Sequence, residues 1–299
     1  MNILITGYSG FLGKHLTKKL KKNNLFLINS KNCDLENQNQ VVNYFKNLPK
    51  IDIIYHLAAK TKAGDYCLYH SGEQWISNQK INTNILSAWY NFQKNSKFIT
   101  FGTSCGYDPS LKNKKEDVYF SGIPEKSLFT YAMTKRMLLT GIMALEKQYQ
   151  MKWIYFIPST LYGPGFDKND THFIFDLIKK IVDAKINGTI AELWGDGHQK
   201  RELIYIDDAI NIIIKGSSKN NEIFNISSNN EYSIIDYSKI ICSIIKYDFN
   251  KIIFNKNKYV GSFSKVLNNH KIKNNNLINN YITINNGIKK TIDYYIKNL

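Results

Sequence analysis

Short, nearly continuous apolar runs mark the first half of the chain, at 2–6, 25–29, 52–57, 97–103 and 152–157. Between them apolar positions recur at helical spacing, near 11–22, 36–47, 77–94 and 129–148. Strand and helix in alternation predict an α/β fold: a doubly wound parallel sheet with helices on both faces. After 164 the texture changes. A helix is expected near 171–184, a turn at Trp194-Gly-Asp-Gly197, and a strand running into a helix over 201–208. Beyond about 250 the chain is rich in Asn and Lys, and clusters such as 274–276 read as loops. No internal repeat is visible. The pattern divides the chain into a first unit over 1–160 and a smaller second unit over 161–299, with 202–215 expected to return to the first.

A chain of 299 residues can bury one large core or two smaller ones. No apolar run approaches the ~18 residues of a membrane span. The N-terminus runs directly into an apolar strand, without the charged region and cleavage site of a secretory signal. A cytoplasmic protein without membrane association is expected. The four cysteines, Cys33, Cys67, Cys105 and Cys242, have no metal-ligand spacing, so reduced thiols and no metal site are expected. The net charge of +16 comes from lysines scattered along the chain, with Arg136 and Arg201 the only arginines. Scattered lysine reads as a solvated surface rather than a nucleic-acid stripe. It would still attract an anionic nucleotide.

Two motifs carry candidate chemistry. Gly7-Tyr-Ser-Gly10-Phe-Leu-Gly13 falls between the first strand and the first helix, where a dinucleotide pyrophosphate would sit. Tyr131 and Lys135, four apart, share one face of a helix. A phenol near pKa ~10 is a poor acid, and a fixed ammonium beside it is expected to lower that value. Such a pair can pass a proton to or from a substrate oxygen while a nicotinamide exchanges hydride with the carbon. The second strand ends Leu27-Ile-Asn-Ser30-Lys31, with no acidic residue for ribose hydroxyls. Ser30 and Lys31 could accept a 2′-phosphate, so NADP(H) is favoured and NAD(H) stays possible.

Together with Gly102-Thr-Ser-Cys-Gly-Tyr107, Pro158-Ser-Thr-Leu-Tyr-Gly-Pro164 and Trp194-Gly-Asp-Gly followed by Arg201-Glu-Leu, these motifs resemble the extended short-chain dehydrogenase/reductases acting on nucleotide sugars. Within that family the GDP-L-fucose synthases, which are epimerase-reductases, are the nearest match. The resemblance implies a dinucleotide-binding domain, a C-terminal substrate domain and a GDP-linked 4-keto-6-deoxy sugar as substrate. It implies cofactor contacts from Ser9, Phe11, Leu12, Asp34, Leu35, Leu57, Ala58, Ala59, Asn82 and Pro158, beside the glycines, Tyr131 and Lys135. Thr103 would bond the sugar's C4 oxygen. Cys105 would remove protons beside the ketone, and His172 would return them from the opposite face. Ser104, Thr160, Lys180, Trp194 and Arg201 would hold the substrate. The helices near 77–94 and 129–148 are the family's pairing surface, which implies a homodimer.

The chain departs from the family at Thr160, where asparagine is usual, in a shortened segment between Pro164 and His172, and over 60–76. A simple 4-reductase, a 4-epimerase and a 4,6-dehydratase share the scaffold and remain alternatives. So does a non-catalytic cofactor sensor. Ser104 and Cys105 stand where a dehydratase usually carries an acidic residue.

Overall fold

A computed structural model describes residues 1–61, 65–167, 170, 172–258 and 263–299. The five apolar runs are strands β1 (Asn2–Thr6), β2 (Asn24–Ile28), β3 (Ile53–His56), β4 (Lys97–Phe101) and β5 (Trp153–Pro158). Later strands are β6 (Thr160–Tyr162), β7 (Ala191–Trp194), β8 (Lys200–Tyr205), β9 (Glu222–Ile226), β10 (Glu231–Ser233) and β11 (Ile252–Asn255). The main sheet is parallel, with six strands in the order β2-β1-β3-β4-β5-β9. Its last strand thus comes from well beyond residue 160.

Period-two alternation feeds a core on each face. Ile3 and Ile5 join one cluster with Leu16, Ile99, Ile154 and Phe156. Leu4 joins the other with Val41, Phe45, Ile85, Trp89, Phe98 and Tyr155. The helices covering these faces are α1 (Phe11–Leu20), α2 (Gln38–Lys46), the short α3 (Asp65–Tyr69), α4 (Ser71–Phe92) and α5 (Phe129–Tyr149). Helix α4 starts at Ser71, not near 77. Its first turns bury Gln74, Ser77 and Asn78, which carry no apolar signal; Gln74 Nε2 and Asn78 Nδ2 donate to the Lys60 carbonyl instead.

The smaller sheets are β10-β8-β6 and β11-β7. Around them lie α6 (Phe173–Asn187), α7 (Ile206–Gly216), α8 (Ile234–Ile245), α9 (His270–Asn274) and α10 (Ile284–Lys297). Helix α7 packs against α1 and β5 of the main sheet. The Asn- and Lys-rich tail is more regular than its composition suggests. Helix α10 is capped by Thr283 and buries Gly287, Ile288, Thr291, Ile292 and Tyr295 on one helical face, with Asn, Asp and Lys prominent on the other sides. The asparagine cluster expected as a loop begins inside α9.

One buried carboxylate joins distant parts. Glu202 of β8 accepts hydrogen bonds from Ser227 Oγ at 2.5 Å, the Asn229 amide at 2.6 Å and the Leu267 amide at 3.0 Å.

Candidate active site

Strand order reverses between β1 and β3, since the chain runs to β2 on one side and to β3 and β4 on the other. Ligands of such sheets bind outside the carboxyl ends of the strands at that switch point. A cavity of about 780 Å³ opens there, lined from the carboxyl ends of β1, β3, β4 and β5 and from the first turns of α1 and α5. Gly7, Ser9, Gly10, Phe11, Leu12 and Gly13 all line it. Gly7 has φ +72°, and a Cβ there would lie 2.8 Å from the Ala58 amide nitrogen. A Cβ on Gly13 would lie 2.3 Å from the Gly7 carbonyl oxygen. Only glycine allows α1 to begin this close to β1. No side chain caps the N-terminus of α1, which leaves amide N–H groups for a diphosphate.

The residues fit a dinucleotide along the whole cavity. Ser30, Asp34 and Leu35 line one end, and Leu57, Ala58, Ala59 and Pro158 line the stretch toward the reaction centre. Ser159 Oγ lines it too, buried and without a hydrogen-bond partner among the described residues, so it is available to a ligand's amide. Lys31 is exposed and is not a lining residue; its amide donates to Asn29 Oδ1. Asn82 lies behind the wall, buried, donating to the Thr134 carbonyl.

Helix α5 brings Tyr131 and Lys135 to the cavity on successive turns. The Tyr155 hydroxyl donates to the Lys135 carbonyl at 2.8 Å, and Arg136 donates to the carbonyls of Gly106, Ser121 and Gly122, locking the loop after β4 onto α5. Burial lowers Lys135 to about 8. Tyr131 departs from the sequence-based expectation. Burial, then the nearby Cys105, Tyr119 and Cys67, raise its pKa rather than lower it. Enclosure disfavours a phenolate more than the equally enclosed Lys135 favours one. A tyrosine held in this way keeps its proton at neutral pH.

Thr103 begins a tight 3-10 turn over Ser104–Gly106. Its Oγ1 accepts from the Cys105 amide at 3.3 Å, leaving its own hydrogen to donate. The turn sets Thr103, Ser104 and Cys105 on the cavity wall. Opposite elements supply His172, the residue before α6, together with Thr160. His172 Nδ1 lies 2.6 Å from Asp170 Oδ1. Enclosure alone would lower His172, but the Asp170 hydrogen bond and charge outweigh it and raise the pKa. Asp170 is held below the usual carboxylate value by the same contact, against the opposing effect of its burial. A carboxylate on Nδ1 leaves Nε2 to deliver a proton.

Sequence reasoning missed three residues here. Asp170, two positions before His172, was visible as a local pair. Lys265 and Glu125 carry no motif. Lys265 Nζ reaches Cys105 Sγ at 3.7 Å and Glu125 Oε2 at 2.6 Å, from the Asn- and Lys-rich tail.

Lys180, Trp194 and Arg201 are not among the cavity-lining residues. Lys180 pairs with Asp176 at 2.9 Å and sits 5.0 Å over the half-exposed Trp194 ring, with Lys258 at 5.8 Å. The guanidinium of Arg201 donates to the Lys200 carbonyl and lies near enough to Lys265 to oppose its charge. Residues 62–64 of the divergent 60–76 segment, and 168, 169 and 171 of the segment before His172, lie outside the described residues.

A parallel sheet with a glycine cradle at its switch point, and a Tyr-Lys helix beside the cradle, defines an enzyme of the doubly wound, dinucleotide-dependent class. More narrowly, the chain belongs to the NAD dependent epimerase/dehydratase family, whose sequence pattern matches residues 3–227. It is similar to the GDP-L-colitose synthase of Yersinia pseudotuberculosis, at 29% identity over 99% of this chain and 98% of that protein. It is also similar to the GDP-L-fucose synthase of Dictyostelium discoideum, at 27% identity over 99% and 95%. Among solved structures, a GDP-L-fucose synthetase from Naegleria fowleri bound to NADP matches with a TM-score of 0.86 at 25% identity, covering 99% of this chain and 93% of that one. A GDP-6-OMe-4-keto-L-xylo-heptose reductase from C. jejuni shares the fold, with a TM-score of 0.89 at 21% identity, covering 100% and 98%.

Proposed function

We propose that this enzyme is an NADPH-dependent epimerase-reductase acting on a GDP-linked 4-keto-6-deoxy sugar. One observation carries the reading: Cys105 and an Asp170-paired His172 line the same cavity as Thr103, Tyr131 and Lys135. A reductase needs only the last three. The thiol and the imidazole add a base and an acid, the two groups that inversion beside a ketone requires. The names of the relatives, GDP-L-colitose synthase and GDP-L-fucose synthase, support the same substrate class.

In this reading the glycine cradle and the open end of α1 hold the cofactor diphosphate, and Ser30 with the adjacent Lys31 takes the 2′-phosphate. Lys135 holds the ribose and Ser159 the nicotinamide amide. When bound, the reduced nicotinamide supplies hydride to the ketone carbon. Cys105 as thiolate takes a proton from the carbon beside the ketone, and the C–H electron pair passes into the enolate oxygen. Thr103 and Tyr131 donate to that oxygen, where the negative charge collects. His172 returns a proton from Nε2 to the opposite face. Tyr131 later gives its proton to the oxygen as the alcohol forms, a role suited to a phenol that burial keeps protonated. Arg201, Trp194 and Lys180 hold the nucleotide, the arginine on its diphosphate.

The test is reaction with GDP-4-keto-6-deoxymannose and NADPH in deuterated water, with NADH run in parallel. NADPH loss with deuterium on carbon is expected, faster than with NADH. Consumption without carbon deuteration would leave a plain 4-reductase, and no consumption would reject this substrate.

A homodimer paired through α4 and α5 belongs to the same reading. Their outer faces form a shallow groove lined by Leu86, Tyr90, Met137, Gly141 and Leu145. Met137 in it and Met143 beside it are more than 40% exposed. No described helix is long and apolar enough to cross a membrane. We infer a cytoplasmic location, where thiols stay reduced.

A further inference from the structure

The tail reaches the active-site thiol through Lys265. Lys265 stands 160 residues from Cys105 in sequence, yet its ammonium donates toward the sulfur at 3.7 Å. The other side of that ammonium meets Glu125 Oε2 at 2.6 Å, while Glu125 Oε1 accepts from Ser127 Oγ at 2.9 Å. Both partners of the ion pair are largely buried, with side-chain exposures of 19% and 14%. A surface lysine in a lysine-rich chain would not be held by a carboxylate against a thiol in a ligand cavity.

We propose that Lys265 is a positioning residue that holds Cys105 as the thiolate its role as carbon base requires, and that Glu125 holds Lys265 in place. The inference rests on the epimerase-reductase reading. It assigns a residue that carries no sequence motif to the proton step of that reaction. The thiolate, not the thiol, is the base. An opposite charge within ~4–6 Å favours the charged form. When the substrate C–H bond breaks, its electron pair goes to the enolate and the proton forms S–H on Cys105. Lys265 keeps all its protons throughout. With the sulfur neutral, Glu125 remains to balance the ammonium, so the lysine does not become an unpaired buried charge in mid-cycle.

The neighbouring groups agree with this. Cys105 also faces Tyr131 of α5, Tyr119 and Cys67 of α3, all neutral at pH 7 because burial raises each of them. None of these can stabilise a thiolate by charge. Around Lys265 lie Arg201 of β8 and Lys114. Those cations add to the positive field, and Glu125 is the carboxylate in direct contact with Lys265.

The test is alkylation of the full chain by iodoacetamide across a pH series, with Cys105 read by peptide mass spectrometry. Lys265→Met is expected to slow Cys105 alkylation at pH 7 by ~10-fold or more, and the deficit should close near pH ~10, where an ordinary thiol ionises unaided. Lys265→Arg should react within about twofold of the parent chain, because a guanidinium supplies the same charge. Equal rates for Lys265→Met and the parent overturn the proposal. So does a Lys265→Arg deficit as large as that of Lys265→Met, or a deficit that persists unchanged at high pH. The assay contains neither sugar nor nucleotide. Rejection of GDP-4-keto-6-deoxymannose as substrate would therefore leave its result standing, and an unchanged rate would leave the reductase chemistry intact.

Discussion

Lys135 is charged at neutral pH against the preference of its surroundings. Burial lowers it from 10.5 to about 8. Between those values the unfolded chain binds the proton more readily than the folded one, so stability rises as pH climbs from about 8 toward 10.5. Below that window the buried ammonium costs about 3 kcal/mol. Lys135→Met should raise the melting temperature at pH 7, flatten the alkaline slope and abolish turnover. Calorimetry on the variant checks this, and a lower melting temperature would mean the ammonium is held by attraction rather than tolerated. The Tyr131-Lys135 pair was legible because both residues sit on one helix, where spacing in sequence is spacing in space. The Lys265-Glu125 pair was not, because tertiary folding alone brings those side chains together. Nor did the motif reveal the state of Tyr131, since burial, and not the adjacent lysine, sets its direction.

At the scale of elements, strands buried on both faces announce themselves as apolar runs, and β1, β3, β4 and β5 were readable for that reason, while the partly buried edge strand β2 was readable from its apolar run alone. The start of α4 was not. Its buried Gln74 and Asn78 spend their amides on the Lys60 carbonyl, and polar residues leave no trace in an apolar pattern. Helix α10 was hidden similarly, its buried stripe diluted by asparagine and lysine on the exposed sides. The outer faces of α4 and α5 carry the proposed pairing. Met137 stands 45% exposed at the edge of their groove. Sedimentation should give a dimer for the parent chain and a monomer for Met137→Glu, because an unpaired carboxylate in an apolar contact costs several kcal/mol. A monomeric parent would remove the pairing from the reading.

Across the whole molecule, Glu202 is a buried carboxyl that ties distant segments together. It gathers donors from the segment after β9 and from the tail at Leu267. Burial raises it to about 7, partly offset by the hydrogen bonds it accepts. Above the unfolded value of 4.5 the unfolded chain has released a proton that the native protein keeps. The stabilisation is therefore complete in acid and lost as pH rises toward about 7. Glu202→Gln should flatten that slope in urea midpoints, leaving the smaller part due to the buried Glu116 and the half-buried Asp208, which are raised in the same way, at a fixed cost of about 1–3 kcal/mol for the donor left unmatched. A slope left unchanged in the variant would assign it to another group.

The tail's reach to the Cys105 sulfur also sets an order in time. A ribosome delivers the cradle, the tyrosine and the thiol early, and Lys265 emerges 160 residues after Cys105. Once β9 has emerged, every strand of the main sheet is available, and the dinucleotide cleft can form. At that moment the thiol still has no ammonium from the tail beside it. On the role proposed for Lys265, a nascent chain can close on its cofactor while remaining inert toward carbon–hydrogen bonds until residue 265 has left the tunnel.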